Sequence, residues 1–190
     1  MISHVLPTSL NGGCAQPVET GAKQARRKVT ANGMSQFLGT HQNRLDAKGR
    51  VSVPASFRAA LRGAPLGDEA GRSALILRPS HKHPCIEAWP ALVFAALEQQ
   101  LQGIDLFSET HDDLAASLYA DAFPLDADKE GRIVLPEALV AHADLTDSVV
   151  FMGMGRIFQI WEPAAAERRR AEARERARAR GLTLPAGPAL

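Results

Sequence analysis

Apolar and polar positions along this chain change rhythm several times, and each change marks an element. Residues 36–45 (QFLGTHQNRL) mix strand formers with polar positions, the pattern of a half-buried strand. Ala47, Lys48 and Gly49 follow as a hairpin turn, glycine tolerating the positive φ that such turns need. Residues 50–53 alternate as a returning strand. Pro54, with its fixed φ and no amide hydrogen, predicts the first turn of a short helix over 55–61. Residues 63–73 read as a loop, and 74–77 and 85–89 as a second strand pair. A helix is predicted over 90–102, where Leu92, Val93, Ala96, Leu97 and Leu101 form an apolar stripe. Another spans 108–119, with Ser108 as N-cap and Glu109, Asp112 and Asp113 near its positive end. The rhythm then restarts with a strand over 122–125, a turn over 129–131, a strand over 133–135 and a short helix over 136–141. Strands over 149–152 and 157–161 close the series, joined through Gly153, Met154 and Gly155. From Pro163 to about Arg180, Ala, Glu and Arg dominate, which predicts a solvated helix fraying into the last residues.

The restart is a duplication. Asp46-Ala-Lys-Gly-Arg50-Val-Ser-Val-Pro54 aligns without a gap on Asp128-Lys-Glu-Gly-Arg132-Ile-Val-Leu-Pro136, and Cys85 to Pro90 answers Phe158 to Pro163. A unit of about 45 residues is too short to bury a good core alone, so the copies are expected to share one. The first copy carries about ten more residues between its Pro and its Trp, most economically placed in the 63–73 loop, where insertions cost little.

Composition narrows the class. Of 190 residues, 45% are apolar and 23% charged, which suits a water-soluble globular chain. No apolar run approaches the roughly 18–20 residues of a membrane span, and the first 33 residues lack the apolar segment of a secretory signal. Those residues, rich in Gly, Thr, Ser and Pro, read as a disordered tail, with Met34 as an alternative translation start. Cys14 and Cys85 supply no disulfide framework, so a reducing cytoplasm is expected. The net charge is only +1, yet Arg44, Lys48, Arg50, Arg58 and Arg62 face only Asp46 within residues 36–65. Bulk charge does not mark a polyanion binder, but this local patch does. The expected division is a disordered extension (1–35), a first repeat (36–91), linking helices (92–119), a second repeat (120–163) and an Arg-rich helix and tail (164–190).

The twin Asp-x-x-x-Arg motifs, each followed by an aliphatic strand and Pro, resemble the MraZ family of bacterial transcriptional regulators. So does the stretch from Phe37 to Ala55 that contains the first of them. The resemblance covers roughly residues 36–163. It implies a mainly β fold with flanking helices (α+β): a duplicated AbrB-like swapped-hairpin β-barrel with a pseudo-twofold inside one chain. It further implies a ring-like homo-oligomer that binds G-rich direct repeats in double-stranded DNA, usually to repress its own division and cell-wall gene cluster. A cytoplasmic, nucleoid-associated location follows. The tail before Met34 and the length of the Arg-rich helix after Pro163 depart from the family pattern.

The chemistry of the motif agrees with DNA binding. Arginine offers a planar fork that matches the O6 and N7 acceptors of guanine, and Lys or Arg set against phosphates releases counterions. Arg50 is expected to make base or close phosphate contact, with Arg44, Lys48 and Arg58 positioning the backbone. In the second copy Lys129 and Arg132 are the candidate DNA contacts. Asp46 and Asp128 would hold the guanidinium groups across turns made possible by Gly49 and Gly131. Because Asp126, Asp128 and Glu130 surround Arg132, that arginine is expected to serve folding or assembly more than DNA. A bland alternative is that each Asp and Arg only brace a hairpin, surface ion pairs being common and weak.

Other classes fit less well. His81, His83 and Cys85 alternate like metal ligands, but three local ligands without a partner motif favour a polar loop, and no metal or cofactor is expected. No G-x-S-x-G, P-loop or H-E-x-x-H pattern suggests an enzyme or a small-molecule substrate. The stronger rival is an antitoxin-like protein-interaction module of the same fold, with Met152, Met154, Phe158 and Trp161 as its contact surface. At strand spacing those residues are more often core or oligomer interface.

Overall fold

A computed structural model describes residues 36–63 and 75–184, all within one compact unit. The expected tail, the alternative start, Cys14 and most of the loop carrying the extra ten residues lie outside the described residues. The first repeat contributes β1 (Thr40–Arg44), β2 (Arg50–Ser52), α1 (Ala55–Gly63), β3 (Leu75–Pro79) and β4 (Ile86–Pro90). Next come α2 (Ala91–Leu101), α3 (Glu109–Ala115) and a π-helical turn, Ala116–Ala120. The second repeat follows in the same order, with β5 (Phe123–Leu125), β6 (Arg132–Val134), α4 (Glu137–His142), β7 (Ser148–Gly153) and β8 (Phe158–Trp161). Helix α5 (Pro163–Ala179) ends the described chain apart from a short turn.

Strand pairing interlocks the copies. The larger sheet runs β1-β7-β8-β4-β3-β5, entirely antiparallel, and the smaller pairs β2 with β6. Exchanging each strand for its duplicate turns both orders into themselves reversed, which is the pseudo-twofold. Strand β1 finds its partner in the second copy and β5 in the first, so neither copy completes a sheet alone. The fold is thus mainly β with flanking helices, as expected, but the sheet is not a closed barrel. Its edges, β1 and β5, splay from β2 and β6; between β1 and β2 only the Leu45–Val51 bridge remains. Asn43 instead spends its side-chain amide on the Ser52 carbonyl.

One core fills the space between the two sheets. Val51 and Val53 meet Ile133 and Leu135 from the ribbon, and Leu77, Ile86, Phe151 and Ile160 from the larger sheet. At its centre Phe57 stands edge-on to Phe37 at 5.3 Å, tilted against Phe158 at 5.1 Å, and edge-on to Phe151 at 6.4 Å. Gly153 lets the segment leading into β1 approach β7 closely. A Cβ there would sit 2.3 Å from the Phe37 carbonyl oxygen and 2.8 Å from the Leu38 nitrogen, both backbone atoms that cannot turn aside.

Different helices cover the outer faces of the two copies. In the first, Arg78 is buried against Glu87 (Nε to Oε2, 3.1 Å) and donates from Nη1 to the Ser117 carbonyl, where the predicted 108–119 helix widens into its π turn. Trp89 donates to the same Glu87 carboxylate as Trp161 donates to Gln159, at 3.2 and 3.1 Å. Helix α2 buries Phe94 against Trp89 and Tyr119 but leaves Leu92 exposed, so the observed apolar stripe is shifted from the predicted one. In the second copy α5 does the covering. It is not solvated throughout: Ala165 and Ala166 dock on Cys85, Val150, Met152 and Trp161, small side chains allowing the close approach. Glu162 caps it by accepting from the amides of Ala164 and Ala165. Of the four residues considered for a sticky surface, Met152, Phe158 and Trp161 are buried, whereas Met154 is exposed.

Candidate nucleic-acid interface

The ribbon of β2 and β6 is built by simple alternation. Val51 and Ile133 face each other on the core side, while Arg50 pairs with Val134 and Ser52 with Arg132 on the outside. Both arginines therefore lie on one exposed face, related by the pseudo-twofold through the Val51–Ile133 pair. The two turns flank this face at opposite ends. The Gly49 carbonyl accepts from the Leu135 amide at 2.8 Å, and the Gly131 carbonyl from the Val53 amide at 2.9 Å, so each turn is pinned by the other copy.

Each turn holds its arginine in the same way. Asp46 Oδ1 accepts from the amides of Lys48 (2.9 Å) and Arg50 (2.8 Å), while Oδ2 accepts from Arg50 Nε at 2.7 Å. Asp128 repeats this with Glu130 (3.0 Å), Arg132 (2.8 Å) and Arg132 Nε (2.8 Å). The aspartate thus folds the turn and aims the guanidinium at once. Gly49 and Gly131, at φ +72° and +78°, supply the left-handed backbone the motif requires. Among the described residues only Nε of the Arg50 side chain is engaged, and neither terminal nitrogen has a partner. In Arg132, Nη2 also donates to Glu130 Oε2 at 3.1 Å.

The symmetry is therefore one of backbone, not of charge. Glu130 stands where Lys48 does, Asp126 where Arg44 does, and Val140 where Arg58 does. Arg44, Lys48 and Lys129 are exposed. Arg58 is not, being half-buried. Its Nη1 donates to the Val53 carbonyl, and its stem fills the space over Gly131, where a Cβ would come within 2.3 Å of Cδ. Under the first turn Val140 fills less, and a hollow of about 490 Å³ is lined by Lys48, Gly49, Glu137, Val140 and Thr146. The second turn is packed against the Arg58 stem, and the first only against the Leu135 backbone among the described residues. Ser52 and Val134, which share the exposed face with the arginines, escaped the sequence reading; their sign was the in-register alternation of the two motif strands.

His81, His83 and Cys85 do not converge on a common point. His81 Nδ1 lies near Arg78, the His83 ring lies tilted against Trp161 with centroids 5.6 Å apart, and Cys85 is buried with its thiol pushed up to about 12 by desolvation. Among the described residues no group of three or more His, Cys, Asp or Glu is placed to hold a metal ion, and no helix is long and apolar enough to cross a membrane.

The backbone amide of Arg50, followed by its side chain, holds the Asp46 carboxyl below its usual value of 3.8. The Arg132 amide leads the same effect on Asp128, with its side chain adding to it. A lowered folded-state pKa means that the turn stabilisation is fully present above about 3.8 and is lost as pH falls through the lower folded values. NMR titration of the two carboxyl carbons is expected to give midpoints below 3.8 for both. A midpoint at or above it would mean that the turns do not hold their arginines in solution.

A family profile described as "MraZ protein, putative antitoxin-like" matches residues 36–116 and 118–181. A protein of Gluconacetobacter diazotrophicus named transcriptional regulator MraZ is 69% identical over 153 residues, covering 80% of this chain and 94% of its own. One of the same name from Gluconobacter oxydans is 66% identical over 145 residues, covering 76% and 87%. A third, from Xanthobacter autotrophicus, is 39% identical over 145 residues, covering 76% and 88%.

Proposed function

This chain belongs to the MraZ family, and from that premise we propose that it is a transcriptional regulator that binds double-stranded DNA through the β2–β6 ribbon. The major groove, about 12 Å wide, admits a two-stranded ribbon. The observation that carries the reading is the pair of arginines on the exposed ribbon face, each aimed by an aspartate of its own turn. Arg50, whose terminal nitrogens have no partner among the described residues, reads guanine. Val134, 54% exposed beside it, suits the methyl group of thymine. Arg44, Lys48 and Lys129 contact phosphates, Arg132 contributes less because Glu130 engages it, and Arg58 braces the second turn. The unfilled space beneath the first turn lets that turn adjust to the groove.

One ribbon spans few base pairs, so affinity comes from several copies acting together in a ring that engages direct repeats. The regulated gene cluster is the chain's own, the action repression, and the location the nucleoid in the cytoplasm. No residue has a catalytic role in this reading. The experiment is a gel shift with the DNA directly upstream of its own gene, at several salt concentrations, with one operator repeat intact, deleted or moved by half a helical turn. The expected result is retardation of the native sequence, a log affinity that falls linearly with log salt, and a steep loss when a repeat is deleted or displaced. Equal binding to scrambled DNA would refute the proposal. A second reading, contact with another protein, is favoured only by Leu106 and Phe107, 65% and 94% exposed between α2 and α3.

A further inference from the structure

Helix α5 carries charge that the DNA reading does not use. Arg169, Arg170 and Arg174 lie on one side of it and, with Thr40, Met152 and Met154, line a hollow of about 300 Å³ beside the β1–β7 edge. Its lining contains no carboxylate. Among the described residues none of these three arginines pairs with an acid, whereas Arg176 on the same helix pairs with Glu172 at 3.1 Å. Arg169 goes further, since its Nη1 is buried and has no hydrogen-bond partner among the described residues. A buried guanidinium N–H left without an acceptor is unfavourable, and three neighbouring guanidinium groups repel one another. The fold nevertheless holds them together, because Ala165 and Ala166 dock the first turns of α5 on the sheet.

The geometry points to a binding site for a phosphate group in this hollow, held by Arg169, Arg170 and Arg174. Phosphate suits the site chemically: its oxygens accept several N–H donors at once, and guanidinium forks match it in two-toothed fashion. The Thr40 hydroxyl can donate a further bond, and Met152 and Met154 give the hollow an apolar wall that would lie against the carbon skeleton of an ester. Thr40 begins β1 and the Asp46 turn follows its far end, so about 16 Å of strand separates the hollow from the Arg50 turn. The site is thus distinct from the ribbon face, and its phosphate can belong to a small anion or to the DNA backbone.

The test uses the full chain, the Arg170→Ala/Arg174→Ala variant and Arg50→Ala, with inorganic phosphate as probe and chloride at matched ionic strength as reference. Both replaced arginines are exposed, so circular dichroism is expected to be unchanged. Phosphate is expected to raise the unfolding midpoint of the full chain and of Arg50→Ala, and not of the double variant. It should also raise the His83 titration midpoint, because the Arg169 charge is one cause, after burial, of that group's lowered value. If the natural phosphate is DNA's, the double variant also loses about 1.8 from the slope of log affinity against log salt. If it is a small anion's, the slope stays and only the phosphate response is lost. Equal phosphate responses in the full chain and the double variant would overturn the site. Because the phosphate arm needs no DNA, its failure is distinguishable from failure of the DNA-binding reading.

Discussion

Replacing Arg50 with alanine is expected to remove specific DNA binding while leaving the fold and oligomer intact. A well-placed arginine–guanine pair contributes about 1–3 kcal/mol of discrimination, and the loss recurs in every copy that engages the operator. With two copies engaged, the loss sums to about 2–6 kcal/mol, so a drop of at least about 30-fold is expected in a gel shift at fixed salt. The fold should tolerate the change, since the Asp46–Arg50 pair is exposed and such pairs contribute little. Arg132→Ala removes the matching Nε bond to Asp128 and also the Nη2 bond to Glu130, but these pairs are exposed too, so its change in unfolding midpoint should likewise be small. Binding should separate them. One terminal nitrogen of Arg132 is already held by Glu130, whereas among the described residues neither of those on Arg50 has a partner. Glu130→Lys would give the second turn the charge of the first, and it is expected to tighten binding. Equal loss of binding in Arg50→Ala and Arg132→Ala, with oligomers intact, would contradict the unequal roles.

Phe57→Ala is expected to destabilise the chain by about 3–5 kcal/mol, the usual range for truncating a fully buried phenylalanine. That is a large share of the 5–15 kcal/mol typical of a folded domain. Phe57 is 1% exposed and touches Phe37 from its own copy together with Phe151 and Phe158 from the other. The loss should therefore weaken both halves together. Thermal or urea unfolding should remain one transition, moved to lower temperature or denaturant. Two transitions, one unmoved, would show that the halves hold separate cores and that the strand exchange is not cooperative.

How much of this was legible beforehand depended on range. The turns were fully legible, because an aspartate, a glycine and an arginine at fixed spacing can satisfy one another within five residues. The short helices after Pro54 and Pro136 were equally local. The predicted 108–119 helix was right in position and wrong in its last turn, where a contact with Arg78, about forty residues away in sequence, accompanies the π geometry. Arg58 was placed on the DNA by its charge. Its neighbours Gly131 and Val53 come together only through the pairing of β2 with β6, which no local pattern reveals.

Periodicity, turn chemistry and duplication were enough to set the elements, their order and the need for a shared core, since each rests on neighbours along the chain. The open edges of the sheet, the common face of Arg50 and Arg132, the brace under one turn and the hollow under the other came only with folding. Those features depend on which strand finds which partner, and on the volume a side chain such as Arg58 or Val140 occupies once it has been found.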